Sequence, residues 1–189
     1  MPTPNPQALA FLRTRRSRPA KTLTTPVPDR DELLPLLEAA ARSPDHGKLE
    51  PWRFIVLERA ALVRLARAVS ARAAETGAEP EKMQAQFGTA HLAVAVVASP
   101  KPSEKIPQVE QAMSAGAVCL ALLNAALASG WGANWLTGWA AHDAVFRQTH
   151  LGLTEGETIA GFIHIGSETA TPPERPRPDI AAITTWVGA

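Results

Sequence analysis

Arg15-Arg16-Ser17 and Arg42-Ser43-Pro44-Asp45-His46-Gly47-Lys48-Leu49-Glu50-Pro51-Trp52 are the two stretches on which the reading of this fold turns. Each stands at the end of a helix-like segment. Guanidinium groups, hydroxyls and turn residues gather there beside backbone groups that lack intrahelical partners. Boundaries of this kind supply what a phosphate and a polar, planar ligand need. In the second stretch Pro44 and Gly47 force a turn, and Pro51 predicts an extended Glu50 ahead of Trp52. A plain helix-to-strand connection could use the same turn residues. It would not need Arg42, Asp45, His46, Lys48 and Glu50 crowded together. His46 taken alone reads as an ordinary surface or hydrogen-bonded histidine.

Upstream of these stretches, Ala8, Leu9, Phe11 and Leu12 recur at helical spacing between Gln7 and Arg13. Asp29-Arg30-Asp31-Glu32 has the spacing of a capping box, with a carboxylate in place of the usual hydroxyl. The apolar helix that follows, through Leu33, Leu36, Leu37 and Ala40, must stop before Pro44. Downstream, Phe54-Ile55-Val56-Leu57 is a short continuous apolar run and predicts a strand buried on both faces. Helices are expected over 59–74 and 79–87, a second buried strand over His91–Ala98, and a long helix from Ile106 to Ser129. The middle of that helix, Ala115 to Ala128, is apolar nearly all round, which suits a core or another subunit. Gly130–Gly138 reads as a strand or loop rich in glycine and tryptophan, 142–150 as a helix, and Thr158–Gly166 as a third strand. Residues 167–189 lack a helical period and are proline-rich between Pro172 and Pro178, so an extended arm is expected. Strands alternating with helices, without internal repeats, predict a layered α+β or α/β fold, one domain over residues 1–189.

Composition narrows the function classes. With 46% hydrophobic and 20% charged residues the chain has globular proportions. Its formal charge of +1 provides no global attraction to nucleic acid or membrane. The single cysteine, Cys119, sits in an apolar run and reads as a core residue in a reducing compartment. No secretory signal precedes the first helix, and polar residues interrupt the apolar runs, so a cytoplasmic protein without a membrane span is expected. The basic cluster Arg13, Arg15, Arg16, Arg18 and Lys21 admits three readings: solvated charges at a helix end, a phosphate pocket, or an arm for nucleic acid. The last lacks interleaved aromatics. A dinucleotide fingerprint is rejected, because the glycines of 130–138 are wrongly spaced and follow a helix. Walker, paired-cysteine, zincin and nucleophile-elbow motifs are missing, and His142, Asp143 and His150 do not make a convincing metal site.

The ordered landmarks are R-R-S, R-S-P-D-H-x-x-x-x-P-W, Glu110-Gln111-Ala112-Met113-Ser114-Ala115-Gly116, G-x-G-x-x-W-x-x-G and Gly161-Phe162-Ile163-His164-Ile165-Gly166. Together they resemble the nitroreductase-like FMN oxidoreductase family, in particular its short bacterial YdjA-type branch. The resemblance implies a homodimeric α+β fold, with a mixed central sheet flanked by helices and FMN bound at the subunit interface. It implies that Arg15, Arg16 and Ser17 hold the phosphate and ribityl end, with Arg42 and His46 joining them. Trp135, Leu136 and Thr137 would contact the flavin from the other subunit, and Ala125, Ala126, Leu127, Ala128, Ser129 and Gly130 would meet the nicotinamide cofactor. The implied activity is a ping-pong NAD(P)H oxidoreductase of nitro or quinone compounds, passing hydride through flavin N5. An FMN-binding carrier or sensor without turnover is the alternative. No side-chain nucleophile is needed, and Lys48 is the candidate for positive charge near the flavin N1 and O2. Departures from the family pattern are Lys48 and Glu50 where Asn and Gln are usual, and Leu136 in place of a basic residue. Arg175 and Arg177 resemble the phosphate contacts in the tail of longer members.

Overall fold

The computed structural model describes residues 3–76 and 80–188. Helix α1 (Pro6–Thr14) starts at Asn5, whose side chain accepts from the Ala8 N–H, and has Pro6 in its first turn. Strand β1 is only Leu23–Thr24. Helix α2 (Arg30–Ala41) carries the expected capping box. Asp29 Oδ1 accepts from Glu32 N at 2.9 Å, and Glu32 Oε2 accepts from Asp29 N at 3.0 Å. Strand β2 (Trp52–Glu58) leads into α3 (Arg59–Thr76) and α4 (Pro80–Gly88). The expected start of α4 at residue 79 lies outside the described residues. Strand β3 (Leu92–Ala98), helix α5 (Gln108–Ala128), strand β4 (Gly132–Leu136), helix α6 (Ala144–Leu151) and strand β5 (Thr158–Glu168) complete the chain. After Glu168 the described residues form neither helix nor strand, so the irregular tail begins two residues later than 167.

The sheet runs in the order β1-β5-β3-β2, with β4 also on β5. The fold is α+β, and the sheet expected as mixed is antiparallel at each of its four pairings. All seven residues of β3 are buried, as its uninterrupted Leu-Ala-Val composition demands. One face packs Leu62, Val69, Phe87, Phe146 and Phe162 under α3, α4 and α6, with Phe87 edge-on to Phe162 at 5.4 Å. The other packs Leu33 and Leu36 of α2, and Val118 and Leu122 of α5, against Val94, Val96, Ile163 and Ile165. In β2 only Leu57 is fully buried; Ile55 packs on the first core and Phe54 on the second, so both faces are covered as expected but only in part, at the last strand of the sheet. An apolar run reports hydrophobicity but not rank in the sheet.

By length and composition alone α5 could cross a bilayer, which the polar interruptions had argued against. Here Gln111, Ala115, Val118, Cys119, Leu122, Leu123 and Ala126 form a buried stripe, while Val109, Met113 and Leu120 stay exposed. The apolar circumference is thus half used within the chain.

Candidate ligand site at the end of the first helix

Helix α1 ends when Arg15 turns to φ −57°, ψ 144°, its N–H still bonded to Phe11 O. The next residues run beside β4. Arg18 N donates to Ala133 O at 2.8 Å, and Asn134 Nδ2 donates back to Arg18 O. This places the basic segment on the sheet, which argues against a free arm. Arg15 Nη2 donates to Ser17 Oγ at 3.0 Å, making the arginine and the hydroxyl one unit. Arg15 Nε is buried without a hydrogen-bond partner among the described residues. Burial lowers the pKa of Arg15, and the nearby charges of Arg177, Arg16 and Arg18 lower it further. Guanidinium groups held this close, with a buried donor unused, fit an anion.

Two carboxylates also reach this cluster. Glu174 Oε1 accepts from Arg16 Nη1 at 3.0 Å and pairs with Arg177 Nη2 at 2.8 Å; Glu168 pairs with Arg18. A cavity of about 600 Å³ is lined here by Arg15, Arg16, Arg18, Leu127, Gly130 and Trp131, among others. It brings Arg15 and Arg16 together with Leu127 and Gly130 of the segment expected to meet the nicotinamide. Ala126 is fully buried and Ala125 packs toward the core, whereas Ala128 and Ser129 are exposed where α5 ends. Ala126 therefore presents no surface to a ligand.

The second stretch does not line this cavity; its Pro51 lines a different one, together with Gln108 and Gln111. Arg42 caps α2 through its N–H to Ala39 O and Ala40 O. His46 Nδ1 lies 2.8 Å from Glu110 Oε2 in an exposed pair with the start of α5. Glu50 is not extended: its φ is 48°, and Lys48 and Gly47 are also left-handed at 56° and 75°. The Glu50 N–H donates to Asp45 Oδ2 at 2.9 Å, which closes the loop against the preference imposed by Pro51. At Gly47 the left-handed φ favours glycine, and an added Cβ would also push the end of the Ile106 side chain, 2.5 Å away.

In β4, Trp135 lies over Gly161, where an added Cβ would come within 2.1 Å of Nε1. Its Nε1 donates to Ala160 O at 3.2 Å, and the ring remains 37% exposed. Leu136 is half-buried, and the carbonyl of exposed Thr137 accepts from Gln86 Nε2 at 3.2 Å. β4 is bonded to the Arg18 segment of its own chain, so no second subunit is needed to bring these elements side by side. Trp139 packs edge-on to Phe146 at 5.6 Å, a core role. Glu168 and Glu174 escaped the sequence reading; Gly161 was part of a landmark, but its contact with Trp135 was missed, although a glycine inside a strand run does signal close approach.

The family model described as the Nitroreductase family matches residues 12–167. This chain belongs to the nitroreductase family. It is 33% identical over 163 residues to the Escherichia coli strain K12 protein provisionally named NAD(P)H nitroreductase YdjA, covering 85% of this chain and 87% of that relative. The nitroreductase fold recurs in a nitroreductase-like family protein from Bacillus cereus, with a TM-score of 0.80 at 24% identity over 99% of this chain and 98% of that one. A nitroreductase with bound FMN from Bacteroides fragilis superposes with a TM-score of 0.72 at 21% identity, covering 96% of this chain and 99% of that one.

Proposed function

We propose that this protein is an FMN-dependent NAD(P)H oxidoreductase that reduces nitro compounds or quinones, working as a homodimer with FMN at the subunit interface. The carrying observation is the Arg15 unit: a guanidinium crowded by other cations, tied to Ser17, with a buried Nε unpartnered among the described residues, on one wall of a cavity. A phosphate monoester answers each of these features. Membership of the nitroreductase family, and the FMN bound by a protein of the same fold, support the choice of flavin.

In this reading Arg15, Arg16 and Ser17 grip the phosphate and ribityl end, and Trp135, Leu136 and Thr137 flank the ring. Leu127 and Gly130 line the approach for NADH or NADPH. Arg42 and His46 complete the site from a second copy, and Lys48 brings its charge toward the N1–O2 edge. The exposed Val109, Met113 and Leu120 on α5 support this division. Bound FMN would supply the redox chemistry, accepting hydride at N5 and then yielding electrons to the acceptor in a ping-pong cycle. The side chains bind, orient and shield; none is required as a nucleophile. The free, buried Cys119, whose thiol burial pushes up to about 12, fits a reducing cytoplasm and has no part in the chemistry.

The test is the visible spectrum of purified protein with its released cofactor quantified, followed by anaerobic addition of NADH or NADPH. Flavin bands near one FMN per chain that bleach with either nucleotide are the expected result. Bound FMN that neither nucleotide reduces would point to a carrier or sensor. A colourless protein that refuses added FMN would overturn the proposal.

A further inference from the structure

Glu174 stands where an anion would. Its Oε1 lies 3.0 Å from Arg16 Nη1 and 2.8 Å from Arg177 Nη2, and Arg15 feels the charge of both arginines. Two guanidinium groups therefore share one carboxylate from the irregular tail, 158 residues along the chain from Arg16, beside the cavity wall that Arg15 also lines. The other carboxylate of the cavity, Glu168, is held by Arg18 at the end of β5. The side chain of Arg16 is 16% exposed, against 65% for Glu174 and 50% for Arg177, so Arg16 is the fixed member and the carboxylate is removable. Thr171 and Pro172 of the same tail segment line the cavity, so displacing Glu174 alters a wall of the site. A phosphate monoester brings more charge and more acceptor oxygens to the same arginines than one exposed carboxylate does.

We propose that Glu174 is an internal stand-in for the cofactor phosphate. In the ligand-free chain its carboxylate occupies the place between Arg16 and Arg177, and FMN binding exchanges it for phosphate. This inference rests on the reading of the Arg15 cavity as the FMN phosphate site. Glu174 thereby sets cofactor affinity without touching the flavin.

The experiment is titration of flavin-free protein with FMN and with riboflavin, which lacks the phosphate, in wild type, Glu174→Gln, Glu174→Asp and Arg15→Ala. Both changes at 174 should tighten FMN three-fold or more and leave riboflavin unmoved. Aspartate keeps the charge but is too short to span Arg16 and Arg177. Glu174→Asp binding FMN as wild type does, or Glu174→Gln binding it no tighter, would overturn the exchange. If Arg15→Ala binds FMN as well as wild type, the phosphate site itself is misplaced and the exchange falls with it.

Discussion

Alanine at position 161 would force the indole of Trp135 off the strand it covers. The new methyl would meet Nε1 at 2.1 Å, Cδ1 at 2.5 Å and Cε2 at 3.0 Å, and the first two are distances no rotamer adjustment of a methyl can relieve. The ring is already 37% exposed, so it can swing outward without disturbing the core. That movement breaks the hydrogen bond to Ala160 O, worth about 0.5–1.5 kcal/mol. It also returns roughly 100 Å² of apolar surface to water, about 2.5 kcal/mol at the usual coefficient. Alanine is about 0.5–1 kcal/mol better than glycine inside a strand and offsets part of the loss. The expected net cost is roughly 2–4 kcal/mol. Urea unfolding should show a lowered midpoint at unchanged slope, with tryptophan emission shifted to the red. In a Trp135→Ala background the same substitution should cost almost nothing, because the clash has gone. FMN content should fall with the displaced ring. A Gly161→Ala protein with wild-type midpoint and emission would refute the packing. A destabilised one that keeps its FMN would remove Trp135 from the flavin site.

Arg15→Ala removes a charge-assisted phosphate contact of about 1.5–3 kcal/mol, so FMN should bind about ten-fold or more weakly in a fluorescence titration; unchanged affinity would discard the assignment. Burial pushes His164 down from 6.5 to about 4, and both ring nitrogens lack partners among the described residues. The unfolded chain therefore takes up that proton first. Its contribution to stability is complete above the unfolded value and falls as pH drops through the interval between the two, by roughly 3 kcal/mol in all. Urea midpoints at pH 7 and pH 5 should differ in wild type and much less in His164→Phe; an equal shift of the midpoint in both proteins would refute this. Glu157, held down to about 2 by its hydrogen bonds with Arg53, contributes above its ordinary value of 4.5 and is lost only as pH falls below it, so it does not mask the effect. Asp29→Ala removes the side-chain acceptor of the Glu32 N–H, while the backbone N–H at 29 can still donate to Glu32 Oε2, and should lower stability by about 0.5–2 kcal/mol in the same assay, with a null effect ruling out the cap as a contributor.

What could be read in advance was local. The α2 cap lies within four residues, β3 is an unbroken apolar run, and Arg15 with Ser17 forms a unit through a side chain two positions away. What could not be read depends on partners far along the chain. Nothing near Phe54 says that β2 is the last strand of its sheet, and two-residue β1 is too short to carry a period. Pro51 did argue for an extended Glu50, but the Asp45 carboxylate overrides it. Trp135 meets Gly161 through the β4–β5 register, and Arg16 meets Glu174 across nearly the whole sequence. The local half of the site was visible at once; its counter-charges and its packing were not.

Strand β5 pairs with β1, β3 and β4, and it follows all three in the sequence. The sheet therefore cannot close until its last strand has been synthesised. Until then β3, the most apolar strand, has a partner on one edge only, in β2. A nascent or truncated chain lacking β5 presents an unpaired hydrophobic edge of the kind that recruits other strands. Native closure must also draw together residues more than a hundred positions apart, which slows folding. For such a protein the hazardous interval is late in its own production, when chaperone cover or prompt pairing with β5 decides between sheet and aggregate.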